Sequence, residues 1–185
     1  MKNQNVDISI LLDQCKLKNQ KAMLTVYNLY YKAMFNASFR ILNHYELAED
    51  VMQESFLNAF DKLDSYSGNV AFGAWLKRIV INKSITEFHK SKKNKIETLD
   101  ENFDTREEIE DLNFDITHKK VSTIMETMNA LKPNYKVILT LFFIEGYDTE
   151  EISEILQITE NNCRTMLSRA KESLKNKLTQ NEDYY

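Results

Sequence analysis

At 185 residues the chain has room for one ordinary domain or two small ones, and its three glycines and single proline are too few for a turn-rich β architecture. The formal net charge of −4 would argue against a nucleic-acid binder if it were evenly spread, but it is not. Between Lys77 and Lys95 seven basic residues stand against Glu87 alone, and between Ile96 and Thr117 nine acids stand against Arg106 alone, blocks of the kind that mark solvated interaction segments rather than core.

Taken in chain order, Ile8, Leu11, Leu12 and Cys15, then Met23, Val26, Tyr27, Tyr30, Met34 and Phe35, recur at spacings of three and four, which predicts two amphipathic helices within residues 6–42. Leu47, Val51, Phe56, Phe60 and Leu63 predict a third helix, halted by the turn-prone cluster Asp64-Ser-Tyr-Ser-Gly68-Asn69. A fourth, from Ala71 to about Lys92, gathers Phe72, Trp75, Leu76, Ile79, Val80 and Ile85 before the basic run His89 to Lys95. These four form an N-terminal helical bundle within residues 1–95. The acidic stretch 96–118 has scattered apolar residues but no period, and reads as a linker with at most transient helix.

The second domain, residues 119–185, opens with a helix over Val121 to Leu131. Pro133 suits the first turn of the next helix, where a missing N–H costs nothing, and that helix runs through Val137, Ile138, Leu141 and Phe142 to a stop at Gly146. Asp148 and Glu151 make an Asp-x-x-Glu variant of the capping box, opening a short helix with Ile152, Ile155 and Leu156. Thr159 then caps a long helix to about Leu178. The fold class is all-α.

The short helix, the turn Leu156-Gln157-Ile158 and the polar helix after Thr159 have helix-turn-helix form, in which the second helix enters the major groove. Ile152, Leu156, Ile158, Cys163 and Leu167 supply the buried side. Asn161, Asn162, Arg164, Thr165, Ser168, Arg169 and Lys171 form the outward set, with amides and cations able to meet bases or phosphates. An ordinary helical hairpin with a solvated face has the same pattern. In the first domain, aromatic and basic groups beside the loop at Gly68 suit an unstacked base and its backbone, although Trp75, at helical spacing from Phe72 and Ile79, is also a natural core residue. Asp50, Gln53 and Glu54 share an exposed helix face opposite Val51 and Phe56.

Other classes find little support. His44, His89 and His118 are isolated, Cys15 and Cys163 are far apart in apolar helical patterns, and neither a phosphate loop nor a nucleophile–base pair can be assembled, so no metal, cofactor, disulfide, small-molecule substrate or catalytic residue is expected. The longest apolar run, ILTLFFI, is far below the roughly 20 residues of a membrane span, and the N-terminus carries charge within each apolar stretch. A soluble cytoplasmic protein without an export signal is the expectation.

The string Ala48-Glu-Asp-x-x-Gln-Glu-x-Phe56, then Asp64-x-Tyr-x-Gly68, Trp75-Leu-x-Arg-Ile79 and Asn82, resembles the second conserved region of extracytoplasmic-function sigma factors. Leu131-Lys-Pro through Glu145-Gly146, Glu151-Ile152, Glu154-Ile155-Leu156 and Leu167-Ser-Arg-Ala170 resemble their fourth. The resemblance implies a promoter-specificity factor for core RNA polymerase that catalyses nothing itself. Asp50, Gln53 and Glu54 would dock on the polymerase clamp helices. Ser65, Tyr66, Ser67, Gly68 and Asn69, with Arg78, Asn82 and Lys83, would capture a flipped base of the minus-ten element. The outward set of the C-terminal helix would read the minus-thirty-five element. The family also implies a membrane-linked anti-sigma inhibitor. Met166 stands where the family commonly has a basic residue, which lowers the salt-dependent phosphate contribution by about one contact, each with a slope of roughly −0.9. Gln157 stands where the turn often has glycine, so a positive φ there would carry modest strain. A freestanding helix-turn-helix regulator is the alternative, but it would need a dimer and leaves the first motif set unexplained. A helical scaffold predicts no basic surface on either half.

Overall fold

The computed structural model describes residues 7–97 and 116–182. Every regular element among the described residues is helical, and the chain divides into two compact units, Met1–Glu101 and Asn102–Tyr185.

In the first unit, helices start where a side chain offers an acceptor to the orphan N–H groups of the first turn. Asp7 Oδ1 caps α1 (Ile8–Lys16), accepting from the Ser9 hydroxyl at 2.7 Å and the Ser9 N–H at 3.0 Å; both bonds hold its carboxyl below the ordinary carboxylate value. Asn19 Oδ1 caps α2 (Gln20–Leu42) by accepting from the N–H groups of Lys21 and Ala22 at 3.0 and 3.2 Å. That helix ends at Asn43, whose φ of 52° suits a residue tolerant of the left-handed region. His44 Nδ1 accepts from the Leu47 N–H at 3.3 Å and opens α3 (Tyr45–Asp61); a short 3₁₀ turn, Leu63–Ser65, leads into the loop before α4 (Phe72–Glu97).

Helix α2 is the hub, packing against α1, α3 and α4. The core joins Leu12, Cys15, Val26, Met34, Phe56, Leu63, Phe72, Leu76 and Val80, all buried. Close approach of α4 to α2 depends on Gly73, where a Cβ would lie 2.9 Å from Tyr30 Cε1. The buried hydroxyls of Ser38 and Ser84 satisfy each other at 2.9 Å, with the Val80 carbonyl 2.8 Å from Ser84 Oγ. The predicted four-helix bundle is present in chain order. Helix α4 reaches Glu97 and α5 begins at Ile116, so helix extends into both ends of the predicted linker; its residues 98–115 lie outside the described residues.

The second unit comprises α5 (Ile116–Asn129), α6 (Pro133–Leu139), α7 (Thr149–Leu156) and α8 (Glu160–Glu182). Pro133 occupies the first turn of α6 as expected. The α6 helix does not continue unchanged to Gly146. From Thr140 to Ile144 it widens into a π-helical turn, in which the Glu145 N–H donates to the Thr140 carbonyl at 3.0 Å and the Tyr147 N–H to Leu141 at 3.1 Å. The extra residue shifts the apolar face, so Leu141 is buried, Phe142 is half-buried and Phe143 is 57% exposed. Gly146, with φ of 80°, then terminates the segment. Burial lowers the Lys136 ammonium to about 8.

Candidate nucleic-acid interface

The capping box is reciprocal: the Glu151 N–H donates to Asp148 Oδ1 at 2.8 Å, and the Asp148 N–H donates to Glu151 Oε2 at 3.0 Å. Gln157 has φ of 55°, the strained turn position expected of a residue replacing glycine. Thr159 Oγ1 accepts from the Asn162 N–H at 3.3 Å at the start of α8. Helices α7 and α8 pack together, with Ile152 and Ile155 buried on the first and Cys163, Leu167 and Ala170 on the second. Leu156 and Ile158, expected inside, are half-buried at the rim of the turn. Burial first, with help from the nearby Glu160 charge, pushes the Cys163 thiol up, so it serves as a small apolar side chain.

All seven residues of the outward set, Asn161, Asn162, Arg164, Thr165, Ser168, Arg169 and Lys171, are exposed on α8. Two of their cations already have neighbours. The Arg164 Nη2 lies 2.5 Å from Glu160 Oε1, one helical turn before it. The Lys171 ammonium lies over the Phe142 ring, 4.1 Å from its centroid, and 5.3 Å from that of Phe143. Sequence periodicity does not reveal this aromatic partner, because the π turn at Thr140–Ile144 and the pairing of Lys171 with a ring far earlier in the chain have no local signature.

In the first unit, Asp50, Gln53 and Glu54 are exposed along one side of α3, with Val51, Met52, Ser55 and Phe56 buried on the other. Leu57, one turn beyond Gln53, is 63% exposed and extends the stripe with an apolar residue that the polar pattern does not mark. Gln53 Nε2 donates to Glu49 Oε1 at 3.4 Å. Glu54 forms an ion pair with Lys83 of α4, so a residue predicted to meet polymerase touches one predicted to meet DNA.

The loop after the 3₁₀ turn is held from inside. The Tyr66 ring packs at 5.6 Å from Phe72 and 5.2 Å from Trp75, and its hydroxyl donates to the Val70 carbonyl at 2.6 Å. Tyr66 is thus half-buried and braces a loop in which Ser65, Ser67, Gly68 and Asn69 are exposed. Gly68 has φ of 77°, which a side chain would strain. Trp75 is half-buried against the core, packing on Phe72 at 5.6 Å as well as on Tyr66. Asn82 is exposed, whereas Arg78 and Lys83 are half-buried. Polar loop atoms beside cations on a supported helix can hold an unstacked base and its phosphate without covalent chemistry.

Among the described residues, no group of three or more His, Cys, Asp or Glu could hold a metal ion, and no helix is long and apolar enough to cross a membrane.

A helix-turn-helix unit with an amide-and-cation face, together with a helical unit carrying a braced polar loop and an exposed acidic stripe, defines a two-part DNA-binding transcription factor. Residues 26–94 match the family Sigma-70 region 2, and residues 122–174 match Sigma-70, region 4. The chain is 27% identical over 180 residues to the ECF RNA polymerase sigma factor SigW of Bacillus subtilis, covering 90% of this chain and 94% of that one. It is 27% identical over 138 residues to the ECF RNA polymerase sigma-E factor of Salmonella typhimurium, covering 70% and 72%. In fold it is similar to the sigma factor RpoE from Bartonella quintana, solved in complex with the anti-sigma factor NepR, with a TM-score of 0.63 and 18% identity over 86% of this chain and 98% of that one. The chain belongs to the sigma-70 family, in its extracytoplasmic-function group: it is a sigma factor, which binds core RNA polymerase and directs initiation at promoters. A freestanding regulator would leave the region 2 match without a role.

Proposed function

We propose a residue-level division of this work. Residues 1–95 form the polymerase- and minus-ten-binding domain, residues 96–118 the acidic linker, and residues 119–185 the minus-thirty-five reader. Asp50, Gln53 and Glu54 dock on core polymerase. Ser65, Ser67, Gly68 and Asn69, with Arg78, Asn82 and Lys83, hold the flipped minus-ten base, and Tyr66 keeps their loop in shape. Asn161, Asn162, Arg164, Thr165, Ser168, Arg169 and Lys171 meet the minus-thirty-five duplex. The observation that carries this reading is the sidedness of α8 and α3: the residues named on each are exposed while the opposite face is buried.

The protein acts in the cytoplasm, catalyses no reaction itself and takes no cofactor. An anti-sigma protein holds it inactive, a reading supported by its likeness to a sigma factor solved with such a partner. The test is a core-polymerase pull-down with Asp50→Ala/Gln53→Ala. Lost capture with an unchanged melting curve is expected, because surface changes of this kind move stability by less than about 0.5 kcal/mol. Undiminished capture would remove these residues from the interface.

A further inference from the structure

We propose that Glu160, which is outside the set of DNA-contacting residues assigned above, determines promoter specificity by positioning Arg164. The inference rests on Arg164 reading a base.

Glu160 is the first residue of α8, in the turn whose side chains reach base edges when such a helix enters the major groove. Its Oε1 lies 2.5 Å from Arg164 Nη2, and both side chains are solvent-accessible, 45% and 65% exposed, on the flank of the helix beside the buried Cys163. Arg164 is the earliest cation of the outward set, with Arg169 and Lys171 further along. An exposed arginine has many rotamers, and near DNA the strongest attraction on it comes from phosphate. A carboxylate one turn away changes both facts. It holds the guanidinium in one orientation through a charge-assisted bond, and its negative charge opposes movement toward the backbone. The guanidinium has five N–H donors, so one bond to Glu160 leaves enough for the O6 and N7 of guanine. Glu160 thereby trades non-specific attraction for discrimination.

A bland reading is available: an acid in the first turn of a helix favours the helix dipole whatever the DNA sequence. The two differ in what they do to base preference. Full-length protein with core polymerase should be selected on promoters randomised across the minus-thirty-five element, comparing wild type, Glu160→Ala, Glu160→Gln and Arg164→Ala. Glu160→Ala should reduce the preference at the Arg164-dependent position by roughly three- to tenfold, part of what a bidentate contact supplies. Its binding to unrelated duplex should become tighter, with the salt slope steeper by about one contact. Glu160→Gln, whose amide oxygen can still accept from Arg164, should retain more of the preference than Glu160→Ala. An unchanged preference in Glu160→Ala, while Arg164→Ala shifts it, overturns the positioning role, as does weakening that is equal on every sequence. An unchanged preference in Arg164→Ala overturns the underlying reading of Arg164, and the role of Glu160 with it.

Discussion

The two surfaces proposed to face DNA are built in opposite ways. On α8 the outward residues stand on a regular helix whose other side is buried, so presentation comes mainly from periodicity and a side chain can change with little effect on the fold. The loop around Gly68 has no such scaffold. Its shape comes from Tyr66, packed on Phe72 and Trp75 and bonded to the Val70 carbonyl, and from one backbone position in the left-handed region. A helix face separates recognition from stability, whereas a braced loop joins them.

The largest test of that contrast is Tyr66→Ala. It removes a half-buried ring and its hydrogen bond, and should destabilise the first unit by about 2–3 kcal/mol, somewhat less than the roughly 3–5 of a fully buried aromatic. Denaturant unfolding measures this, and promoter opening should fail in parallel. A change below about 0.5 kcal/mol, the level of an ordinary surface residue, would mean that the ring does not brace the loop.

On the other surface, Arg164→Ala should leave stability nearly unchanged yet cost roughly 1–3 kcal/mol of discrimination at one base position. Lys171→Ala should instead weaken binding to all sequences and reduce the salt slope by about one. Selection on randomised promoters and salt titrations read the two, and the opposite assignment would mean that α8 docks in a different orientation. Because Lys171 sits over Phe142, its loss should also be the more destabilising of the two, by a few tenths of a kcal/mol up to about 1.

Gly68→Ala has open space for its methyl group but must hold a φ of 77°, so a cost of about 1 kcal/mol is expected from backbone strain alone. Gln157→Gly is the smallest change. It relieves the strain of φ at 55° but frees the unfolded chain, leaving a net gain of at most about 0.5 kcal/mol in thermal melts. Destabilisation by Gln157→Gly would mean that the glutamine side chain makes contacts that outweigh the strain.

The helices were legible in the sequence because apolar residues recur at the helical spacing and because Asp148, Glu151, Thr159 and Gly146 mark ends whose physics is local. The exposed sides of α3 and α8 followed from the same period. What was not legible depends on contacts between distant residues or on irregular backbone. The π turn at Thr140–Ile144 breaks the period that would have buried Phe142, and nothing in the run of apolar residues marks the extra one. The sequence places Tyr66 in a turn-prone cluster with the base-capturing set, and its bracing role has no local sign because its partners Phe72 and Trp75 lie on the next helix. The Glu54–Lys83 pair joins α3 to α4 and has no local signature.

We propose that both surfaces act together on one polymerase. The most direct measurement is in vitro transcription with core polymerase and a promoter library randomised at both elements. The expected result is initiation only when the chain is added, from templates sharing two elements at a fixed separation, with Gly68-loop variants altering selection at the downstream element and α8 variants at the upstream one. Initiation that depends on a single element, or binding of the chain to duplex DNA with no effect on polymerase, would contradict it.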